Sequence, residues 1–374
     1  MNVLWDFRLF SYGYRDRGIG VWCRSVTSSI LRLQPKINLF VWGDRAAVPA
    51  VLQDQSFTWI PYRKGSWKSC ILILPWLVIH HRIDLLHYWV ALGPLRAIGI
   101  SPLCPCPSIA CVFDMGVENW DIPHCRAVKR STYWAMQKRF FTSTNGCLAD
   151  SAATMGEITH VFSAVPEVRQ VVYMPIHDEH MIPPSIERLP YFITLGGSIH
   201  KNCLRVVKAF SHVRSRHPDY RLVILGETDT IEESLINLPG GVMLEPSLER
   251  YEEHLRSCSG LLFCSLYEGL GIPPLEAMSF GCPLLLSDIP PLRETCSDAG
   301  LFVDPLSVEA ITAGIEKLIT DTSEWAMRSL TGAKVYHSLS NDSPDQVLRM
   351  YEQLTGTTIA RKAADSSHPS RERL

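Results

Sequence analysis

Short runs of Val, Ile, Leu and Phe recur along the chain between longer stretches in which apolar and polar positions alternate at helical spacing. That alternation is expected of parallel strands buried on both faces and covered by helices. It falls into two series. The first predicts strands at Val3–Asp6, Asn38–Trp42, Asp84–Trp89, Ser108–Phe113 and Gly146–Ala149. The second predicts strands at Tyr191–Leu195, Arg221–Leu225, Gly241–Leu244, Gly260–Cys264, Pro283–Ser287 and Leu301–Val303. Each series is sufficient for one Rossmann-like sheet, which gives an α/β protein of two parallel-sheet domains facing across a cleft. Met174–Pro190, rich in Pro, His and acidic residues with Pro183 and Pro184 adjacent, is the expected connection. The expected domains are 1–184 and 185–340. A helix within 341–356, centred on Pro344–Leu354, is expected to pack back on the first domain, and the polar tail 357–374 is expected to be disordered.

Length agrees with two domains, since 374 residues exceed what one hydrophobic core usually serves. With 46% hydrophobic and 20% charged residues the chain is built to fold. A net charge of −2 gives no case for a nucleic-acid binder, but the charge is uneven. Up to Ser185 there are 18 Lys and Arg against 13 Asp and Glu; after it, 18 against 25. The basic half either meets anionic lipid or a phosphorylated acceptor, or is solvated surface. The 12 cysteines are scattered, with only Cys104 and Cys106 close together, so they indicate neither a zinc site nor a disulfide framework. No signal peptide precedes the apolar segment Asn2–Phe7, and a cytoplasmic protein is expected. The longest apolar run, Cys70–Ile79, is interrupted by Pro75 and is about half the ~20 residues of a membrane span. Flanked by Lys64, Trp67, Lys68, His80, His81 and Arg82, it is either a helix in a membrane interface or a core-facing helix before the next strand.

The chemistry concentrates in Ser265–Asp304, SLYEGLGIPPLEAMSFGCPLLLSDIPPLRETCSDAGLFVD. A strand ends at Cys264, Gly269–Pro274 is loop, and Leu275–Phe280 has helical character before Gly281 closes it. Glu268 is therefore expected on the loop and Glu276 on the first turn of the helix. Gly269 and Gly271 let backbone approach a ligand, and amides at a helix start favour an anion such as a pyrophosphate. In open parallel sheets ligands bind beyond the carboxyl ends of the strands, where this loop must lie.

Glu268 and Glu276, in the E-x7-E stretch EGLGIPPLEAMSFGCPLLLSDI, resemble the signature of the family 4 retaining glycosyltransferases, the group 1 glycosyl transferases. The wording SLYEG and PPLEAM is most similar to bacterial mannosyltransferases of polysaccharide and lipopolysaccharide synthesis. The resemblance implies a GT-B fold and a metal-independent transfer, with retention, of a hexosyl group from a nucleotide sugar, GDP-mannose or a UDP-sugar, to a saccharide or lipid-linked acceptor. It implies that Glu276 holds the ribose hydroxyls, that Glu268 contacts the donor sugar, and that Gly269, Leu270, Gly271 and Ile272 cradle sugar and phosphate. No D-x-D triplet is present to hold a metal, and no cofactor beyond the nucleotide-sugar substrate is implied.

A second stretch, YFITLGGSIHKNCLRVVKAF, resembles the family's GG-x-x-x-K-N segment, so Gly196, Gly197, Lys201 and Asn202 join the expected donor site. Lys201 would pair with the phosphates and stabilise the departing nucleotide diphosphate. Where many relatives add an Arg this chain has His200 and Gly197, which leaves one cation missing unless His200 is protonated or Arg293 reaches in. In the first half, RDRGIGVWCR places Gly18 and Gly20 in a turn expected before a helix, matching the family's N-terminal glycine loop. His87 and Asp114, in DLLHYW and SIACVFDMG, are the polar candidates on the acceptor side, His87 having a satisfied core histidine as its other reading. Asp150 and Ser151 are expected to cap the next helix. The expected location is cytoplasmic, with peripheral association at the inner face of the cell membrane, and nucleic acid is not an expected partner. Rival readings are a nucleotide-sugar epimerase, a nucleotide-sugar-binding subunit weakened in catalysis, and a membrane-surface scaffold.

Overall fold

The computed structural model describes residues 1–12, 18–49, 52, 57–62, 67–90, 100–119, 123–162, 164–175, 188–197, 199–226, 240–340 and 342–362. The chain divides into two compact units, Met1–Pro175 with Ser340–Leu374, and Ile176–Leu339. The change of unit falls after Pro175, where the sequence pattern put it after residue 184; residues 176–187 of the expected connection lie outside the described residues.

The first unit holds a parallel seven-stranded sheet, in sequence β1 (Asn2–Asp6), β2 (Asn38–Gly43), β3 (Thr58–Pro61), β4 (Leu85–Tyr88), β5 (Ser108–Val112), β6 (Gly146–Ala149) and β7 (Val168–Val171). Its spatial order is β3-β2-β1-β4-β5-β6-β7. The register sets Val3 beside Leu39 on one side and Leu85 on the other. The central strands β4, β5 and β6 are buried throughout, as continuous apolar runs require. The sequence pattern does not predict β3 and β7, and these are the two edges. TWIP and VRQV bury little, so neither carries the apolar run by which a central strand is recognised.

Helices α1 (Gly18–Arg32), α2 (Trp67–His80), α3 (Gly116–Asn119), α4 (Pro123–Lys129), α5 (Thr132–Phe141) and α6 (Ala152–Val161) connect the strands. Ser151 caps α6 by accepting from the Thr154 amide. Trp5, Trp22 and Trp89 are fully buried together on one face of the sheet, with Trp5 meeting Trp89 edge to face at 5.4 Å, and Trp134 is buried on the other face in the core with Leu4 and Tyr88.

The second unit holds a six-stranded parallel sheet of β8 (Leu189–Leu195), β9 (Arg221–Leu225), β10 (Val242–Glu245), β11 (Cys258–Phe263), β12 (Leu284–Ser287) and β13 (Gly300–Val303), in the order β10-β9-β8-β11-β12-β13. All six coincide with predicted strands. Its helices are α7 (Cys203–Arg214), α8 (Tyr251–Ser257), α9 (Ile272–Ser279), α10 (Pro290–Cys296), α11 (Val308–Thr320) and α12 (Thr322–Ser340). One side of the sheet is closed by α7 and α11, whose Val206, Phe210, Ile311 and Ile315 share a core with Phe192, Ile224 and Leu285.

The chain then returns to the first unit as α13 (Ser343–Thr355), which packs against α1, β4 and β7. Its Tyr351 is fully buried, and its hydroxyl accepts from Trp5 Nε1 at 3.0 Å. The tail expected to be disordered from residue 357 is ordered as far as Lys362. The Lys36 backbone amide donates to Ala360 O at 2.8 Å, the Lys362 amide to Leu33 O at 2.9 Å, and the Arg361 side chain pairs with Asp345 and Glu352. Ile359 is buried there, so a short apolar anchor overrides the polar composition. Residues 363–374 lie outside the described residues.

Candidate functional site

In the second sheet β8 lies between β9 and β11, so the strand order reverses between β8 and β11. Loops leaving the carboxyl ends of these two neighbours turn away on opposite faces and open a crevice between them, which is where open α/β sheets bind ligands. The two stretches singled out by sequence are those loops. Beyond β8, Gly196 N donates to Leu225 O at 2.8 Å, Gly197 adopts φ 114°, and a 3-10 turn over Ile199–Lys201 leads into α7. Beyond β11, Cys264 to Gly271 lead into α9.

Lys201 and Glu268 meet across that reversal. Lys201 Nζ donates to Glu268 Oε1 at 2.8 Å, both side chains being mostly buried, and the ammonium lies 4.8 Å from the centre of the Phe263 ring. The two loops are further joined by the Leu266 amide, which donates to His200 O at 2.7 Å. His200 itself stays neutral near pH 7: burial first, then the Lys201 charge, pull it down to about 4 against the opposing pull of Glu268. Arg293 is held by Asp288 at 2.7 and 2.8 Å and lies over the Phe302 ring. Neither residue therefore supplies the cation that the segment lacks. Arg205, on the first turn of α7, is a positive charge that the motif comparison passed over. It donates to Asn202 Oδ1 at 2.8 Å.

Asn202 is the clearest correction. Expected to bind donor, it instead spends its amide on the fold: Nδ2 donates to Cys264 O at 2.9 Å and to Pro305 O at 2.7 Å, and the residue is buried with φ 59°. One side chain thus ties together the ends of β8, β11 and β13. Because that amide is turned inward, it does not cap α7.

Gly271, at φ 84°, starts α9, and an added Cβ would lie 2.4 Å from Leu292 Cδ2. Position 271 demands glycine on both counts. The helix begins at Ile272, so Glu276 sits on its second turn and not the first. Pro273 and Pro274 carry no N–H, and the Leu275 amide is bonded to Gly271 O at 3.4 Å. The start of α9 therefore has few amides to offer, and an anion here must rely on Gly269, Leu270, Gly271 and Ile272 themselves. Leu270 is buried, and its carbonyl accepts from the Thr295 hydroxyl at 3.2 Å, which fixes the loop from behind.

Glu276 has a neighbour that the sequence did not reveal. The Tyr251 hydroxyl of α8 donates to Pro273 O at 3.4 Å, and the phenol lies close enough to Glu276 to be pushed well above its ordinary range by burial first and by the Glu276 charge second. Tyr251 remains protonated and can donate. Nothing local in the sequence marks it, because it reaches Glu276 from a helix 25 positions away.

In the first unit, Gly18 and Gly20 form the first turn of α1 and not a loop before it; residues 13–17 lie outside the described residues. Trp22, one turn on, packs edge to face on Phe113 at 4.9 Å, which brings the start of α1 to the end of β5, where Asp114 is exposed. The Asp114 carboxylate accepts from the Gly116 amide at 2.8 Å. His87 is not at this edge. It is fully buried in β4, stacked on Trp89 at 4.0 Å, with Nδ1 2.6 Å from Tyr351 Oη and Nε2 3.0 Å from Cys111 Sγ. Burial lowers its pKa to about 3, so it is a neutral core histidine. Among the described residues no group of three or more His, Cys, Asp or Glu is placed to hold a metal.

Residues 180–334 match the family Glycosyl transferases group 1. The second unit is a group 1 glycosyl transferase domain. Its matched span contains the Lys201–Glu268 pair, Glu276 and Tyr251. Among curated relatives, the O-antigen chain mannosyltransferase B of Escherichia coli is 47% identical over 62 residues, 17% of this chain and 16% of that one. The O-antigen chain mannosyltransferase RfbU of Salmonella typhimurium (strain LT2) is 27% identical over 167 residues, 42% of this chain and 46% of that one. The chain thus spans less than half the length of these relatives. Among solved structures, WaaG, a glycosyltransferase involved in lipopolysaccharide biosynthesis, superposes with a TM-score of 0.70 at 15% identity, covering 96% of this chain and 100% of that one. Both sheets of the transferase fold are accounted for, and the fold is GT-B.

Proposed function

We propose that the chain is a retaining, metal-independent hexosyltransferase that moves a sugar from GDP-mannose or a UDP-sugar to a saccharide or lipid-linked acceptor at the inner face of the cell membrane, in the synthesis of surface polysaccharide or glycolipid. The observation that carries the proposal is the Lys201–Glu268 pair at the point of strand reversal, with Glu276 on the helix that follows. The names of the mannosyltransferase relatives favour mannose as the sugar.

In this reading Glu276, with Tyr251 beside it, accepts from the ribose hydroxyls. Lys201 turns from Glu268 to the diphosphate, where its charge offsets the negative charge growing on the leaving group. Amides of the Gly269–Ile272 loop take further phosphate oxygens. Glu268, released by Lys201, accepts from a hydroxyl of the donor sugar near the reacting carbon. The acceptor hydroxyl attacks the face from which the diphosphate leaves, and a phosphate oxygen takes its proton, so the configuration is retained without a protein nucleophile. Asp114 stands as the acceptor-side candidate; His87 takes no part.

Thermal-shift titration without metal against GDP-, UDP-, ADP- and dTDP-sugars tests the donor site. A donor at a hundred times its Kd stabilises the fold by about 2.7 kcal/mol. The expected result is a shift with one nucleotide class, lost in Glu276→Ala; no shift with any of them removes the proposal. A second reading, a donor-binding subunit with little turnover, is favoured by the neutral His200 and the engaged Arg293. It predicts the same shift with no transfer to any saccharide or lipid-linked acceptor.

A further inference from the structure

At the end of the second sheet away from the crevice, two thiols lie in contact. Cys258 opens β11, and Cys282 stands two residues before β12 on the turn that follows α9. These strands are parallel neighbours with Leu261 opposite Leu284, so the register carried back places Cys282 diagonally beside Cys258. Neighbouring strands run about 4.8 Å apart, within the ~4.4–6.8 Å between Cα atoms that a disulfide spans. The two Sγ atoms are 3.5 Å apart and both residues are buried.

The surroundings make the two sulfurs unequal. Cys282 Sγ donates to Pro283 O at 3.6 Å, so the hydrogen between the sulfurs belongs to Cys258. The Arg188 guanidinium is set against both residues, donating to Leu255 O at 2.9 Å, Cys258 O at 3.2 Å, Phe280 O at 3.4 Å and Gly281 O at 2.6 Å. All four acceptors are neutral carbonyls, and among the described residues no carboxylate pairs with this charge. Burial pushes the Cys282 thiol up, but the Cys258 hydrogen bond and then the Arg188 charge bring it below its ordinary value; burial first and Cys282 second push Cys258 well above. A sulfur that ionises readily beside one that keeps its proton is the arrangement by which a dithiol oxidises. Cys104 and Cys106 also approach, to 3.6 Å, but a bond across one intervening residue would fix only its own turn. Cys258 and Cys282, 24 positions apart, enclose the segment that carries Glu268, the Gly269–Ile272 loop and Glu276.

We infer that Cys258 and Cys282 are a reversible dithiol–disulfide site, oxidised by hydrogen peroxide, whose bond closes the segment bearing Glu268 and Glu276 into a loop. Peroxide suits the depth of the pair, being close to water in size: Cys258 is flanked by the partly exposed Ser257 and Ser259 and lies beside Leu189, which is 57% exposed. The Cys282 thiolate attacks one peroxide oxygen, the O–O bond breaks, and the departing hydroxide takes up the proton that Cys282 gave up, leaving water and a sulfenic acid. The Cys258 sulfur then attacks the Cys282 sulfur. The S–S bond forms, the S–O bond breaks, and hydroxide leaves with the Cys258 proton as a second water. The two sulfurs lose the two electrons that the peroxide gains. A small dithiol reverses the step by exchange and is itself left as a disulfide.

Donor binding plays no part in the test. The purified full chain is reduced, freed of reductant, treated with hydrogen peroxide, blocked with iodoacetamide in denaturant, digested without reduction and mapped by mass spectrometry. The expected product is a pair of peptides joined through Cys258 and Cys282, lighter by two hydrogens and lost again after dithiothreitol. Cys258→Ser should lose the crosslink and leave Cys282 as a sulfenic acid that dimedone captures. Cys282→Ser should lose the crosslink and give no dimedone adduct at Cys258. The wild-type map decides by itself, so a variant that folds poorly does not remove the test. Cys258 and Cys282 that still take iodoacetamide after peroxide overturn the inference, whether or not Cys104 and Cys106 have joined. So does a crosslink that forms only when peroxide is added in denaturant.

Discussion

Lys201 and Glu268 are hydrogen-bonded at 2.8 Å across the reversal of strand order, each on the loop that leaves one of the two parting strands. The ammonium and the carboxylate occupy each other. Both are mostly buried, so removing one partner strands a charge that water reaches poorly. Lys201→Met should weaken nucleotide-diphosphate binding by roughly tenfold to a hundredfold, the worth of a hydrogen bond to a charged group. Isothermal titration of the matching nucleoside diphosphate measures it. In the free protein, Lys201→Met and Glu268→Gln should be non-additive in thermal stability, with a coupling of about 0.5–3 kcal/mol. Simple additivity would show that the pair contributes nothing to the fold.

Tyr251 lies beside Glu276 with a phenol that burial and the carboxylate keep protonated, its hydroxyl donating to Pro273 O at the start of α9 at 3.4 Å. Tyr251→Phe removes the donor without changing the ring. Nucleotide affinity should fall about fivefold to tenfold, a loss of the order of one hydrogen bond. Melting should shift by only a few degrees. The informative comparison is free ribose-bearing nucleoside monophosphate against inorganic pyrophosphate as competitors of donor binding. The variant should lose affinity for the first and keep it for the second. Equal loss for both would place Tyr251 in the general architecture of α8 and not at the ribose.

What the sequence disclosed and what it withheld follow one physical division. Buried strands such as Arg221–Leu225 and Gly146–Ala149 are continuous apolar runs and can be read to the residue. The edges Thr58–Pro61 and Val168–Val171 bury too little to leave a pattern. Motif spacing placed Glu268 and Lys201 on the two loops that the topology then brought together, because chain direction and strand order fix where those loops emerge. It misjudged Asn202 and His87 for the same reason in each case. A polar residue beside a motif looks the same whether it faces a ligand or spends its hydrogen bonds on two carbonyls at strand ends or on a buried tyrosine. Tyr251 was invisible because its partner is distant in sequence.

Gly271 tests the loop as geometry. Its φ of 84° is unfavourable for an L side chain, and an added methyl would press on Leu292 of α10. Gly271→Ala should destabilise the second unit by roughly 1–3 kcal/mol, from left-handed strain and overpacking together. Nucleotide affinity should fall as the Gly269–Ile272 amides move. Thermal melting with and without nucleotide separates the two effects. The double variant Gly271→Ala with Leu292→Ala should recover part of the affinity loss if the clash is what displaces the loop.

His87 gives the first unit a pH dependence whose sign can be worked out. Trp5 Nε1 can only donate, so Tyr351 Oη accepts from it and gives its own proton to His87 Nδ1; the ring is then the tautomer protonated at Nε2, facing Cys111 Sγ. The folded histidine does not take a second proton until about pH 3, whereas the unfolded chain takes one near the ordinary value of about 6.5. Between these values the unfolded state binds more protons, so stability is complete above about pH 6.5 and falls as pH drops toward 3, by up to about 1.4 kcal/mol per pH unit. His200, lowered to about 4, adds the same trend in the second unit over the narrower window from about 6.5 to 4. Denaturant melts at pH 7.5, 6.5 and 5.5 should show the wild type losing stability progressively. His87→Phe should be less stable at pH 7.5, because Tyr351 loses its partner, yet lose less on acidification. Its donor binding should be unchanged, which separates a core histidine from a catalytic one. A variant that keeps the full pH slope would refute the assignment of that slope to His87.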